Sequence, residues 1–450
     1  MKRRELERLG RELGDFLEAV TGEMGRPERR AAMRAYVTGL LLDGERKSVE
    51  PMAARLVDSA AEVESMRQRL LGCVAESTWS DGELLRRLAL MLERELPGIE
   101  AFVVDDTGFP KKGVHSVGVM RQYSGTLGRI DNCQVATSLH LAGEAGSACI
   151  GFTLYLPEQW AKDPARRRKC GVPVEVEFQP KWQIALAELD AALKWGIRKH
   201  VVLADAAYGD CGEFRQGVLD RGLDYLVAVS GAATVWPPES NPQLPPRVAG
   251  KPGRPHTRYR DEKHQPLDLH HLASRLSFRK ITWREGSQDW QSSRFASARI
   301  RTAHRHRAGV APGSEQWLLC EWPATEKQPS KFYFSSLPPD TSLRTLVRLA
   351  KLRWRVERDY QEMKQEIGLD HFEGRSWRGF HHHATLCAAA HAFLALRRAL
   401  FPPELDEMDP TDGPAGPSTR PHPAHRHLPA LPASLAAWSA STRALTNVIE

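Results

Sequence analysis

Two short apolar runs that each end on an acid constrain this chain more than any other feature. AFVVDDT (101–107) and KHVVLADAAYG (199–209) have the length and residue types of buried strands. Between them, KWQIALAELDAALKWG (181–196) has the spacing of an amphipathic helix stopped by glycine. VATSLHLA (135–142) and ACIGFTLYL (148–156) read as further strands, followed after the second acid by a helix near 211–221 and a strand, DYLVAVS, at 224–230. Strands followed by a strand–helix–strand unit predict a mixed α/β sheet. In such sheets side chains at the carboxyl ends of strands reach solvent while a rigid element holds them. Asp106 and Asp205 are therefore the first candidates for chemistry. Either aspartate taken alone reads better as a turn or helix-cap residue.

The rest of the chain has a different texture. Residues 1–97 read as helices, with apolar Phe16, Val20, Met33, Tyr36, Leu40 and Leu41 at helical spacing and arginines such as Arg26, Arg29, Arg30 and Arg34 between them. This segment reads equally as a small basic DNA-docking domain and as a solvated helical bundle. Residues 98–230 hold the strands and helices above. Residues 231–330 open on a Pro/Gly/Arg-rich stretch and continue in polar, β-prone pieces, so they read as a β-rich insertion. KFYFSSL (331–337) returns to strand, one long helix is expected from Ser342 to Gly368 and another over 378–400, completing a segment 331–400. The tail, 401–450, is loaded with Pro, Ala and His and is expected to be disordered apart from a short helix near Leu435–Val448.

On the helix expected from Ser342, the apolar stripe Leu343, Leu346, Val347, Ala350 and Trp354 continues onto Glu357 and Lys364. Residues seven apart share a helix face. A carboxylate pointing the same way as a core stripe is costly unless a cation meets it. Either a buried ion pair or a bound divalent cation satisfies that condition, and so does a stripe that simply frays at the surface. Three carboxylates on separate elements suit Mg²⁺, which takes oxygen ligands and keeps places for water or phosphate. Two such ions can activate the attacking oxygen and stabilise the leaving one.

Composition narrows the partners. Of 450 residues 41% are hydrophobic, and no apolar run approaches the roughly 18–20 residues of a membrane span. The opening MKRRELERLGRELGDFLEAV has no apolar signal region, so a cytoplasmic protein is expected, associated with the nucleoid when bound to DNA. Seven cysteines without a CxxC pair argue against a zinc ribbon or a disulfide framework. The net charge of +7 is compatible with a polyanion. The run His381-His382-His383 is no metal site, because consecutive helix residues point about 100° apart.

Four ordered blocks, VVDDTGFPKKGVHSVGVMRQYSGTLGRIDNCQ (103–134), VLADAAYG (202–209), ITWREGSQDWQSSRF (281–295) and RWRVERDYQEMKQEIGLDHFEGRSW (353–377), resemble the DDE transposases of bacterial insertion sequences. The resemblance is to the IS-four superfamily and its IS-seven-oh-one branch, and runs from about residue 30 to 400. It implies an RNase H-like catalytic core with a β-rich insertion and an N-terminal helical domain. It also implies a metal triad of Asp106, Asp205 and Glu357 holding two Mg²⁺ ions, with Mn²⁺ able to stand in. Asp106 is preferred to Asp105 because the family aspartate precedes Thr or Ser, as in Asp106-Thr107, but the choice between the two stays open. The superfamily's Tyr-Arg-Glu-Lys pattern is matched by Arg353, Glu357 and Lys364, whereas its tyrosine position holds Ala350. Its flipped-base step would use an insertion aromatic, Trp283 or Trp290. Arg353, Arg355, Lys364, Lys111 and Lys112 flank the proposed acids and are the candidate DNA-phosphate contacts. The implied activity is cleavage at terminal inverted repeats of double-stranded DNA and joining of the 3′-OH ends to target DNA, by a homodimer on DNA. The alternatives are a nuclease without strand transfer and a catalytically silent DNA-binding protein.

Overall fold

The computed structural model describes residues 3–246, 256–285, 290–303 and 307–401. The described residues form two compact units: those up to Leu96 together with those from Gln361 onward, and Pro97–Tyr360. The segment 331–400, expected as one piece, is thus divided between the two units at residue 360. The tail helix expected near Leu435–Val448 and the histidines 304 and 306 lie outside the described residues.

The first unit is helical. Helices Arg3–Thr21, Pro27–Leu41, Val49–Leu56, Val63–Ala75 and Asp81–Glu95 are followed, from the far end of the chain, by Trp377–Leu400. Leu13, Leu17, Val20, Met33, Leu40, Leu84 and Leu88 are among its buried residues. Helix Trp377–Leu400 is apolar on nearly every side and buried along most of its length, as a central helix must be. Its three consecutive histidines are all buried and each finds a different partner. His381 Nδ1 meets the Trp377 carbonyl at 2.9 Å, His382 Nε2 the Trp79 carbonyl at 3.0 Å, and His383 Nδ1 the Tyr36 hydroxyl at 2.9 Å. Burial pushes the His382 imidazole down to about 4, so it sits in this core uncharged. No helix among the described residues is long and apolar enough to cross a membrane.

Among the described residues, the second unit is built on a twelve-stranded mixed sheet. Its strands are β1 (Ile99–Pro110), β2 (Met120–Ser124), β3 (Arg129–Gly143), β4 (Ser147–Leu154), β5 (Val201–Ala204), β6 (Tyr225–Val229), β7 (Thr234–Trp236), β8 (Leu267–Asp268), β9 (Arg279–Trp283), β10 (Gln291–Thr302), β11 (Glu315–Trp322) and β12 (Lys331–Ser335). The order is β2-β3-β1-β5-β6-β12-β11-β10-β7-β8, with β4 paired to β3 and β9 to β10. β1 runs antiparallel to β3 and parallel to β5, and β5 runs parallel to β6. A parallel neighbour needs a crossover, and helix Lys181–Lys194 lies on the path from β4 to β5, burying Ile184, Ala185, Leu186, Leu189 and Ala192.

The segment read as an insertion is β-rich, and its strands continue the main sheet, because β12 pairs with β6 on one side and β11 on the other. One expectation fails: the chain from Ser342 is not one continuous helix. It forms Leu343–Leu352, a turn at Arg353, Trp354–Glu362 and a π-helical turn Met363–Ile367 that ends at Gly368, where φ is +88°. The Val356 N–H bonds to the Arg353 carbonyl at 3.2 Å, a tighter i to i+3 closure than the α-helix makes. Ala350 is buried while the Glu357 side chain is 65% exposed, so the apolar stripe gives way to the surface at Glu357. Lys364 falls in the other unit.

Candidate functional site

β1 runs on to Pro110, held by its pairing with β3, so Asp105 and Asp106 lie inside the strand and not at its end as expected, and strand geometry separates the two. Successive side chains point to opposite faces of a sheet. Asp105 lies directly opposite Ser138 of β3 and Asp106 opposite Thr137, so each pair shares one face. On the Asp105 side, the Arg353 guanidinium reaches the Asp105 carboxylate at 2.9 Å and the Glu357 carboxylate at 2.7 Å. On the Asp106 side, Lys181, at the start of the crossover helix, donates to Asp106 Oδ2 at 2.6 Å. The first aspartate linked to Glu357 through a shared partner is therefore Asp105.

Asp205 closes β5, beside β1, and caps the short helix Ala206–Gly209. Its Oδ1 accepts from the Ala207 N–H at 2.9 Å and the Tyr208 N–H at 3.4 Å. The turn is pressed against β6, because a Cβ on Gly209 would lie 1.7 Å from the Ala228 carbonyl oxygen. Asp205 is thus both a helix cap and a carboxylate held rigidly at a strand end.

The electrostatics show how crowded these carboxylates are. Burial pushes the Asp105 carboxyl up to about 7, Asp205 and Asp106 add to the rise, and Arg353 opposes it. Burial also raises Asp205, with Arg353 opposing and Asp106 reinforcing. Burial works against the Arg353 charge, yet Asp105, Glu357 and Asp205 outweigh it and hold the guanidinium above its ordinary value. Glu357 is the open member, its side chain 65% exposed against 14% for Asp105. Negative charge is thus concentrated here and partly neutralised by Arg353 and Lys181.

Among the described residues no group of three or more His, Cys, Asp or Glu side chains stands close enough to hold a metal ion as placed. The donor chemistry nevertheless fits a hard divalent cation. The available ligands are carboxylate oxygens, and two are buried so that the charged form is costly without a cation. Arg353 lies between Asp105 and Glu357 and is bonded to both.

The other expected residues are less concentrated. Arg355 packs over the Trp354 ring at 5.3 Å and donates to the Glu144 carbonyl. Lys111 and Lys112 follow β1, with Lys112 exposed. Trp283 and Trp290 both line a cavity of about 270 Å³ with Trp354, Arg284 and Arg348. Lys351 stands 4.4 Å over the Trp283 ring and is held by the buried Glu321 at 2.8 Å. Lys181, bonded to Asp106, is not singled out by the sequence, where its one local signal is that it begins a helix.

Carboxylates inside β1, just past its last parallel pairing with β5, and at the end of β5, faced by a helical glutamate, have the donor set of enzymes that move phosphoryl groups with divalent metals. The chain belongs to the DDE superfamily endonucleases, whose family model matches residues 16–289, a span containing Asp105, Asp106 and Asp205. It is 32% identical over 201 residues to the probable transposase for insertion sequence element IS701 of Microchaete diplosiphon. That match covers 44% of this chain and 48% of the relative, about half of the relative's length.

Proposed function

We propose that the protein is a transposase: it binds terminal inverted repeats, hydrolyses a phosphodiester at each end and joins the freed 3′-OH to target DNA. The observation that carries this reading is the grouping of Asp105, Asp205 and Glu357 around Arg353, in a chain of the DDE endonuclease family. The ligands are proposed to be Asp205, Glu357 and Asp105, in preference to Asp106, because Asp105 projects toward the helix that carries Glu357. Two Mg²⁺ ions, with Mn²⁺ as substitute, would supply activation of the attacking oxygen and neutralisation of the leaving one. The interior of β1 and the end of β5 keep Asp105 and Asp205 rigid, while Glu357, on an exposed helix face, closes the set. Arg353 and Arg355 are suited to hold the DNA backbone by charge-assisted contacts, with Lys111 and Lys112 as outlying phosphate contacts, and Lys364 is proposed as a phosphate contact of the helical unit.

The core is proposed to be RNase H-like, a reading supported by antiparallel β4-β3-β1 continuing into parallel β5 and β6. The tryptophan-lined cavity beside Arg284 and Arg348 supports a step in which a base leaves the stack, with Trp283 or Trp290 as its platform. Action at two ends favours a homodimer on DNA. The test is incubation of the full chain with Mg²⁺ and a DNA carrying its coding region and flanks. Cleavage at flanking inverted repeats followed by joining is expected, with neither in Glu357→Gln. A Glu357→Gln protein that cuts like wild type would sink the assigned site. Cutting without joining would favour the nuclease alternative, and inactivity of wild type the silent DNA-binding one.

A further inference from the structure

Behind Asp105, in the same unit, lies a run of buried polar groups that the proposed chemistry does not use. Tyr360 Oη is 2.6 Å from Ser138 Oγ, and Ser138 Oγ is 2.9 Å from His140 Nε2. His140 Nδ1 is 2.7 Å from Asp359 Oδ2, and Ser147 donates to Asp359 Oδ1 at 2.7 Å. Ser138 and His140 are wholly buried and Asp359 is 3% exposed. The Tyr360 ring also meets the His140 ring edge-on, with centroids 5.6 Å apart. A carboxylate can only accept, so His140 donates through Nδ1. Where Nε2 accepts from Ser138, Ser138 in turn accepts from Tyr360.

Ser138, His140 and Asp359 have the spacing of a hydrolytic Ser-His-Asp triad. No substrate can reach a serine with no exposed surface, so nucleophilic work is excluded by burial. What the run does connect is two elements of the proposed metal site. Asp359 and Tyr360 follow Glu357 on helix Trp354–Glu362, two and three residues on. Ser138 faces Asp105 across the β1–β3 pair, and His140 lies two residues further along the same face.

We propose that His140 and Asp359, with Ser138 and Tyr360, are positioning residues. They fasten the Glu357 helix to β3 and so set the separation of the Glu357 and Asp105 carboxylates. A helix held on that face by apolar contacts alone could slide or rotate by fractions of an ångström, since dispersion contacts are not directional. Short hydrogen bonds between buried groups are directional and costly to break. Mg²⁺ demands near-ideal octahedral geometry, so carboxylate separation matters more for it than for a more tolerant cation. This inference rests on the metal-dependent reading given above.

The test uses the full chain with Mg²⁺ or Mn²⁺ alone, measuring the thermal upshift each ion gives, and then cleavage of the flanking-repeat DNA in each. His140→Phe should lose about tenfold or more of its Mg²⁺-supported cleavage and most of its Mg²⁺ upshift, as disturbed supports of metal ligands do. Mn²⁺ should restore most of both. Tyr360→Phe removes one link with little change of shape and should move the Mg²⁺-to-Mn²⁺ ratio the same way, which keeps the test decisive if His140→Phe does not fold. A ratio equal to wild type in the folded variants, with both ions losing in proportion to stability, would overturn the positioning role. Glu357→Gln separates the two layers. If it keeps the upshift and cleavage in both ions, the metal reading itself fails and this inference falls with it. If it abolishes both while the ratio in His140→Phe and Tyr360→Phe stays at the wild-type value, only the positioning role is lost.

Discussion

Replacing Arg353 by methionine should make the DNA-free protein bind Mn²⁺ more tightly. The guanidinium bridges Asp105 at 2.9 Å and Glu357 at 2.7 Å, so an ion entering between them must first displace it. The Asp105 contact joins side chains 25% and 14% exposed, and a charge-assisted bond at such depth is worth about 2 kcal/mol. The Glu357 contact is to a side chain 65% exposed, so water screens it to about 0.5 kcal/mol. Together they oppose metal entry by about 2.5 kcal/mol, which at about 1.4 kcal/mol per decade is roughly 60-fold in affinity. Methionine fills a comparable apolar length without a charge. The assay is a Mn²⁺ titration followed by electron paramagnetic resonance at about pH 8.5, above the raised Asp105 value, so that protons compete less with the ion. Glu357→Gln run in parallel identifies the signal that depends on this site. Unchanged or weaker binding of that signal in Arg353→Met would refute the reasoning, because it would show that the guanidinium assists the ion.

Two further outcomes follow from the same geometry. Glu321, 2% exposed, neutralises Lys351 through two 2.8 Å contacts, so Glu321→Gln leaves a buried ammonium uncompensated and should cost about 3–5 kcal/mol in urea unfolding. The double change Glu321→Met with Lys351→Met should recover most of that loss, and a single variant costing under about 1 kcal/mol would contradict the pair's burial. Burial raises the Asp105 pKa from 3.8 to about 7, so its contribution to stability is present in full below the unfolded value and is lost as pH rises through about 7. The metal-free Asp105→Asn protein escapes that loss, and its thermal midpoint should gain on wild type between about pH 5 and pH 8. A gap independent of pH would mean that Arg353 already offsets the burial of the charge.

The strands that carry the aspartates are legible because their signal is local, a short apolar run and a crossover helix of the right length, although β1 continues to Pro110 past the acid that reads as its end. The same holds for the helical N-terminal segment and for the β character of residues 231–330. Which way a residue points was less accessible. Asp105 and Asp106 are neighbours of identical chemistry, and the sequence offers only the following threonine to choose between them. Strand alternation sends them to opposite faces, and only the packing of helix Trp354–Glu362 shows which face meets Glu357. The single helix expected from Ser342 to Gly368 fails for a related reason, since helical periodicity extrapolates smoothly through a turn such as that at Arg353 and through a π-turn.

The sequence by itself determined the main strands and the crossover helix, Asp205 at the end of β5 and the family blocks around the acids, all of which are written within a few residues of one another. The partners were decided by the tertiary structure. Lys181 meets Asp106 across 75 positions, Arg353 meets Asp105 across 248, and His140 meets Asp359 across 219. No periodicity reports contacts at such separations, because they depend on which sheet face each element covers. The continuation of the sheet from β6 through β12 into β11 and β10 belongs with them, since strand pairing is a relation between segments, and neither segment carries it alone.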